Sequence, residues 1–233
     1  MKNICRIITL LCNVLIILLI SSCSKDATSS SFFGDNNGVT LIPFKHIRIK
    51  IDNQTSYKSR MMSVWNDSIL TYENRQMNCI QFYHINKQSF ISKLCFDVKG
   101  PNGTGNIVGY YIQSMDSIYI NGDHTREIVL ANQNRKVLRG FRLSNDFGTP
   151  AGVTFFPIEK INNKLYFLSL PDYNLYTVPT VGQEMEIAYD LNTKTHTEHF
   201  HFPEEYEGFH NTYYITYSRT INDAGDFVYS FLM

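Results

Sequence analysis

Short runs of bulky apolar and β-branched residues, separated by turn-forming residues, fill the chain from residue 41 onward. No stretch there repeats with the 3.6-residue period of an amphipathic helix. In the segment FKHIRIKI, Ile47, Ile49 and Ile51 alternate with basic residues, which is the period of a half-buried strand. The pattern predicts an all-β domain over residues 41–233, with its first strand at residues 41–52.

The strand pattern itself repeats about every 50 residues, a spacing typical of stacked repeat architectures. The similar segments are DSILTYEN, DSIYINGD, NKLYFLSL and GDFVYSFL. A strand with two adjacent large residues precedes each of them, as VGYYIQS precedes DSIYINGD. Two further strand-like pieces follow each of the first three segments. Four short antiparallel strands per repeat are typical of a propeller blade, which must stack on other blades to bury its faces.

The repeats therefore predict a β-propeller of four-stranded antiparallel blades, with about three and a half blades present. Closed propellers have about four to eight blades, so we expect an incomplete ring from a truncated chain. Two alternatives stay open. One is a four-bladed ring that the strand at residues 41–52 completes, and the other is a β-sandwich of irregular meanders.

The first 22 residues have the order of features found in a secretory signal peptide. Two basic residues precede the apolar run IITLLCNVLIILLI, which is shorter than the about 20 residues that cross a bilayer. A short transmembrane anchor is the alternative interpretation. The segment Ile20-Ser21-Ser22-Cys23 resembles the lipobox of bacterial lipoproteins. The resemblance implies that the Cys23 thiol is diacylglycerylated and that Cys23 becomes the mature N-terminus.

Residues 23–40 are the predicted lipid attachment site and a flexible tether, because they are rich in Ser, Asn and Gly. More than one acyl chain holds a protein stably on a bilayer, so the membrane is the first expected partner. Ser24 follows the cysteine at the place where an aspartate retains some lipoproteins in the inner membrane. We therefore expect a lipid-anchored protein of the cell envelope, on the outer membrane.

The charge balance does not point to nucleic acid as a partner. The chain has 21 basic and 21 acidic residues, so no overall field attracts a polyanion. The basic face of the predicted first strand is typical of a solvated edge strand.

Only Cys79 and Cys95 belong to the predicted domain. An oxidising compartment would permit a disulfide between them. The sequence favours two small buried hydrophobic side chains on adjacent strands, because spacing alone does not set the geometry that a disulfide needs.

Candidate chemistry along the chain is sparse. His199 and His201 would share one face of a strand and would begin a zinc site, but no third ligand accompanies them. A solvated polar face is the preferred interpretation, so no metal or cofactor is predicted. The glycine-rich loop at residues 100–105 precedes a predicted strand instead of a helix, which favours a turn over a phosphate cradle. No nucleophile motif occurs, and no catalytic residue is predicted.

The lipobox, SVWNDSILTYENRQMNCIQFYHINKQSF, KGPNGTGNIVGYY and DSIYI together resemble an uncharacterised family of Bacteroidota lipoproteins. Members of that family carry a domain of unknown function with a TolB-like six-bladed propeller. The resemblance covers only the N-terminal part of a longer family member, and it brings no catalytic residue with it. Asp-Ser followed by an apolar residue also resembles the O-glycosylation acceptor of exported Bacteroidota proteins. That resemblance makes Ser68 and Ser117 candidate acceptors, whereas turn formation alone also explains both segments.

The sequence favours a binding or scaffold module over an enzyme. Its ligand would be a peptide, a glycan or a partner protein. One alternative is a propeller-type hydrolase or lyase that acts on glycan, which requires converging carboxylates or histidines at the central pocket. The other alternative is a non-functional truncated fragment.

Overall fold

The computed structural model describes residues 46–123, 125–144, 148–170, 184–201, 216–222 and 224–232. All regular structure in these ranges is β, which confirms the predicted fold class. The described ranges from Ile47 onward belong to one compact unit. Within them, no helix has the length and apolar character that a membrane crossing requires.

The strands form four antiparallel sheets in chain order. The first sheet contains β1 (Met62–Trp65), β2 (Ile69–Asn74), β3 (Cys79–His84) and β4 (Ser89–Cys95). The second contains β5 (Ile107–Ser114), β6 (Ser117–Gly122), β7 (Glu127–Ala131) and β8 (Val137–Arg142). The third contains β10 (Glu159–Ile161), β11 (Lys164–Leu170), β12 (Glu184–Asp190) and β13 (His196–His201), hydrogen-bonded in that order. The short strand β9 (Thr149–Ala151) also belongs to this sheet, because it pairs with β11. The fourth, two-stranded sheet contains β14 (Thr216–Ile221) and β15 (Phe227–Leu232).

The sequence repeats coincide with these sheets. The segments DSILTYEN and DSIYINGD supply β2 and β6, the second strands of the first two sheets, and GDFVYSFL supplies β15, the second strand of the two-stranded sheet. In the third sheet, NKLYFLSL supplies β11, which is second in the hydrogen-bonded order from β10 to β13, although β9 also precedes it in the chain. Tight turns precede them, and the positive φ angles of Asn66 (50°) and Asp67 (54°) show the backbone that such a turn requires. The prediction of repeated antiparallel units, with the second strand at the repeated segment, is therefore confirmed.

The predicted first strand is absent from the described part of residues 41–52. Residues 46–52 make no strand, and the side chain of Ile51 is 60% exposed. The prediction was wrong there because alternation creates a strand only where another strand supplies the partner hydrogen bonds. A polar loop follows instead, in which the Asp52 carboxylate accepts hydrogen bonds from Thr55 and from the buried amide of Gln81.

A disulfide joins Cys79 to Cys95, which corrects the favoured interpretation of two separate hydrophobic side chains. The two residues lie directly opposite each other in the pairing of β3 with β4. The hairpin turn sets the register next to it, and a β-bulge between Phe82 and Tyr83 shifts that register by one residue. The cysteines therefore meet although 16 positions separate them in the chain. Closing a loop of this size contributes about 3 kcal/mol in the chain-entropy account.

Each sheet shares a hydrophobic core with the next sheet in the chain. The first and second sheets enclose one cluster, which includes Phe82 and Tyr110. The second and third enclose another, which includes Phe141 and Phe167. A smaller cluster around Phe156 lies between the third sheet and the two-stranded sheet. A single sheet therefore depends on its neighbours to remove its apolar faces from water.

Residues 150–156, here called the central segment, connect the other three sheets. The Asn121 side-chain amide of the second sheet donates to the Pro150 carbonyl at 2.5 Å. Thr154 N–H donates to the Arg60 carbonyl, just before β1, at 2.9 Å. Arg219 N–H of β14 donates to the Phe155 carbonyl at 2.8 Å. The central segment therefore fixes the positions of the sheets relative to one another.

The approach of β5 to the central segment leaves no room for a side chain at Gly109. A Cβ atom there would lie 2.6 Å from the Gly152 nitrogen and 2.5 Å from the Asn121 side-chain oxygen. At Gly140 on β8, the contact would be with the flexible end of the Glu127 side chain, which can move away.

We predict that Gly109→Ala lowers the free energy of unfolding by at least about 2 kcal/mol, because the obstructing atoms at Gly152 are backbone. The matched variant Gly140→Ala changes it by less than about 1 kcal/mol, within the range of strand propensity. Urea unfolding followed by circular dichroism measures both. Equal losses in the free energy of unfolding would show that the close approach of the Gly152 backbone does not exclude a side chain at Gly109.

Candidate functional site

A cavity of about 280 Å³, here called the first-strand cavity, is surrounded by β1, β5 and β10, the strands that come first in the hydrogen-bonded order of three sheets. Each of these strands is an edge of its sheet, so backbone groups on one side have no ladder partner among the described strands. The lining residues come from β1, β5 and β10, from residues that adjoin these strands and from Thr71 of β2. They are Met61, Ser63, Val64, Trp65, Asn66, Thr71, Tyr110, Tyr111, Ile112, Gln113, Ile158 and Glu159.

The hydrogen-bonding groups of the cavity are mostly neutral. The buried Tyr110 hydroxyl donates to the Thr71 hydroxyl at 3.0 Å. Burial raises the pKa of Tyr110 well above its ordinary value, so its hydroxyl stays protonated at neutral pH. Asn66 and Gln113 add exposed amides at the cavity wall. This set donates and accepts hydrogen bonds but supplies no group that takes up a proton near pH 7.

Among the lining residues that the structure describes, Glu159 is the only carboxylate. It is partly buried, and burial raises its pKa, while the positive charge of Arg219 lowers it again in part. Burial also raises the pKa of Tyr111, and the charge of Glu159 raises it further. Glu159 and Tyr111 therefore interact electrostatically from two different sheets.

A buried ion pair lies between the third sheet and the two-stranded sheet. Arg219 Nη1 donates to Glu186 Oε1 at 2.6 Å, and both side chains are fully buried. The Tyr229 hydroxyl donates to the other oxygen of Glu186, and Arg219 also donates to the Pro157 carbonyl. Burial raises the pKa of Glu186, whereas the charge of Arg219 lowers it. The hydrogen bonds compensate part of the cost of removing both charges from water.

The candidate ligands His199 and His201 have different neighbours. The pairing of β12 with β13 is irregular at this point, because Glu186 opposes Phe200 and Ile187 opposes Glu198. This irregularity interrupts the alternation that would place both rings on one face.

The ring of His199 packs against Tyr166 and Phe227, and its Nε2 lies 3.8 Å from Glu186 Oε2. Burial lowers the pKa of His199, and Arg219 lowers it further. His201 Nε2 instead lies 3.2 Å from Glu198 Oε2. Among the described residues, no three His, Cys, Asp or Glu side chains come together in a way that would hold a metal ion.

The two candidate glycosylation sites occupy corresponding turns. Ser68 ends the turn between β1 and β2, where its hydroxyl donates to the Asn66 carbonyl at 3.0 Å. Ser117 begins β6 after the turn from β5. Both are partly exposed, and their modification stays a prediction. Cys23 lies outside the described residues.

Sequence reasoning did not identify Trp65, Tyr111 or Glu159 as site residues. They belong to three different repeats, so no local motif contains them. A usable signal existed in the repeated pairs of large residues, because Tyr110-Tyr111 places one ring in the core and the other partly exposed. Only the packing of the sheets shows that these positions meet.

Fold and site define the class of protein: a β-repeat protein whose successive antiparallel sheets share their cores and whose first strands surround a polar cavity. A family model described as a domain of unknown function, DUF4221, matches residues 41–232. The chain belongs to this family.

Solved structures agree with the assignment. A member of the DUF4221 family from Bacteroides vulgatus ATCC 8482 superposes with a TM-score of 0.62 at 19% identity, over 82% of this chain and 57% of that chain. The present chain thus spans little more than half of that relative's length. At this identity the similarity shows the fold alone. No curated protein matches the sequence.

Two further structures are more distant. An exported protein from Bacteroides fragilis NCTC 9343 has a TM-score of 0.43 at 9% identity and covers 67% of this chain and 42% of its own. The protein U3-55K has a TM-score of 0.41 at 16% identity and covers 68% of this chain and 43% of its own. Neither similarity is strong enough to support an argument.

We predict that Arg219→Met lowers the free energy of unfolding by about 3–5 kcal/mol, because it leaves the Glu186 carboxylate buried without its partner. The double variant Glu186→Gln/Arg219→Met recovers part of that loss, since no buried charge remains and Gln still accepts from Tyr229. Arg142→Met on the exposed side of β8 is the matched control and changes stability little. Urea unfolding measures these three variants and the single variant Glu186→Gln, and strictly additive losses in the double variant would contradict the coupling.

Proposed function

We propose that this chain is a lipid-anchored β-propeller module of the cell envelope, in which the first-strand cavity binds a peptide, a glycan or a partner protein. The location of the cavity carries the proposal. It lies where the first strands of three successive sheets converge, and in a propeller the binding residues come from separate blades in this way.

The propeller arrangement is supported by the order of packing. Each sheet shares its core with the sheets before and after it in the chain, as stacked blades do. The free edges of β1, β5 and β10 all face the same cavity, which is the role of innermost blade strands around an axis.

The lining favours binding over hydrolysis. Most glycoside hydrolases use two carboxyl groups on opposite sides of the scissile bond, and here the described lining contains one, Glu159. The exposed parts of Trp65 and Tyr111 offer aromatic surfaces, and Asn66 and Gln113 offer amides. Such a set recognises a ligand by stacking and hydrogen bonding.

The envelope location is supported by two independent features. The lipobox-like segment that ends at Cys23 supplies an attachment point. The disulfide between Cys79 and Cys95 is of a kind that persists in oxidising compartments and is rare in the cytosol.

We predict that Cys23→Ala moves the protein from the membrane fraction to the soluble fraction, because the thioether that carries the lipid can no longer form. Cys79→Ala, which removes a different cysteine, leaves the protein in the membrane fraction. Cell fractionation and the intact mass of the purified protein measure the outcome. An unchanged membrane fraction of Cys23→Ala, without an added lipid mass in the wild type, would rule out anchoring at this residue.

We predict that a ligand entering the cavity changes the fluorescence of Trp65, which is the single tryptophan of the chain. The full-length protein in detergent is titrated with envelope glycans and with peptide pools. Gln113→Ala weakens binding about three- to tenfold, the value of one net hydrogen bond. Gln133→Ala, an exposed amide in the turn before β8, leaves binding unchanged. Equal effects of the two variants on affinity would show that the ligand binds outside the first-strand cavity.

A further inference from the structure

The first-strand cavity carries an uncompensated negative charge. Arg219 faces two carboxylates, Glu186 and Glu159. Its guanidinium hydrogen bonds go to Glu186 and to the Pro157 carbonyl. With both carboxyl groups ionised, two carboxylates against one guanidinium leave one negative charge in excess. That charge belongs to Glu159, since Glu186 already holds the cation.

Glu159 is also free to make a new interaction. In the part of the chain that the structure describes, its side chain has neither a hydrogen bond nor an ion pair within contact distance. It lines the cavity, and the described residues of the lining include no lysine, arginine or histidine. An anionic ligand would meet repulsion there without compensation, whereas a cationic ligand would satisfy a carboxylate that is already half removed from water.

Aromatic rings define which kind of cation fits. Trp65 and Tyr111 line the cavity together with Glu159, and both are partly exposed. The negative face of an aromatic ring attracts an organic cation. A metal ion would need several oxygen or nitrogen ligands, and the described residues bring no three acidic, histidine or cysteine side chains together.

We infer that the first-strand cavity binds an organic ammonium group, which pairs with the Glu159 carboxylate beside the rings of Trp65 and Tyr111. This inference rests on the proposed binding function and names the chemistry that the cavity selects. The ammonium group belongs either to an amino sugar or to a lysine side chain, and the two sources share this recognition.

The test compares each amine with its acetylated form in the full-length protein, by Trp65 fluorescence and calorimetry. One arm uses a glucosamine trisaccharide and its N-acetylated counterpart. The other arm uses a capped peptide with one lysine and the same peptide with acetyl-lysine. We expect the free amine to bind at least about tenfold more tightly than its acetylated form in one arm, and that arm identifies the source.

Variants locate the effect at the carboxylate. Glu159→Gln keeps the shape of the side chain and abolishes the preference for the free amine. Glu198→Gln, which removes an exposed carboxylate on β13, keeps the preference. Thermal melts show whether each variant is folded. The comparison of free and acetylated ligands on the wild-type protein does not depend on any variant.

The outcomes separate the inference from the proposed function. Equal affinities for free and acetylated ligands would overturn the ammonium site while leaving a binding cavity. A preference that persists in folded Glu159→Gln would also overturn it. No fluorescence or heat change with any probe would overturn both the inference and the proposed binding function.

Discussion

The arrangement of the sheets depends on the close backbone approach between β5 and the central segment, residues 150–156. Gly109 and Gly152 lie so near each other that even one methyl group on Gly109 would fall within 2.7 Å of the opposite backbone. This approach brings the Pro150 carbonyl to the Asn121 amide and leaves Thr154 and Phe155 positioned for the first sheet and for β14. Hydrophobic burial drives the stacking of the sheets, but it is non-directional. The main-chain hydrogen bonds of the central segment are directional, so they fix the orientation of the sheets. They thereby determine where the first strands, and therefore the cavity, lie.

The contact between the third sheet and the two-stranded sheet follows a different principle. It is centred on the ion pair of Arg219 with Glu186, with aromatic rings around it, and the guanidinium lies 4.8 Å from the centre of the Phe156 ring. Burying two charges costs much of what their attraction returns, so such a pair contributes more to geometry than to net stability. Because Arg219 bonds through its main chain to Phe155 and through its side chain to Glu186, it fixes β14 to the central segment and to β12 at once.

A structural feature of this chain can be predicted from the sequence when the residues that determine it lie close together in the chain. The repeated segments identify β2, β6, β11 and β15, one strand in each sheet, because alternation and turn residues act over a few positions. The disulfide does not follow, because it depends on the register between β3 and β4. The expected strand at residues 41–52 fails in its described part because alternation says nothing about a partner strand. The cavity residues Trp65, Tyr111 and Glu159 come from three repeats, and only tertiary packing brings them together.

Three edge strands around one cavity would usually favour association with another chain, because free edges offer unpaired backbone groups. Here polar and charged side chains share that surface, among them Asn66, Gln113 and Glu159. Water satisfies such groups well, so a ligand gains little from hydrogen bonds alone. For the ligand that we propose, selectivity would come from interactions that water makes poorly, namely contact with the aromatic rings and neutralisation of a half-buried carboxylate. The buried ion pair beside the cavity keeps Arg219 occupied with Glu186, and in this way leaves the Glu159 charge available to a ligand.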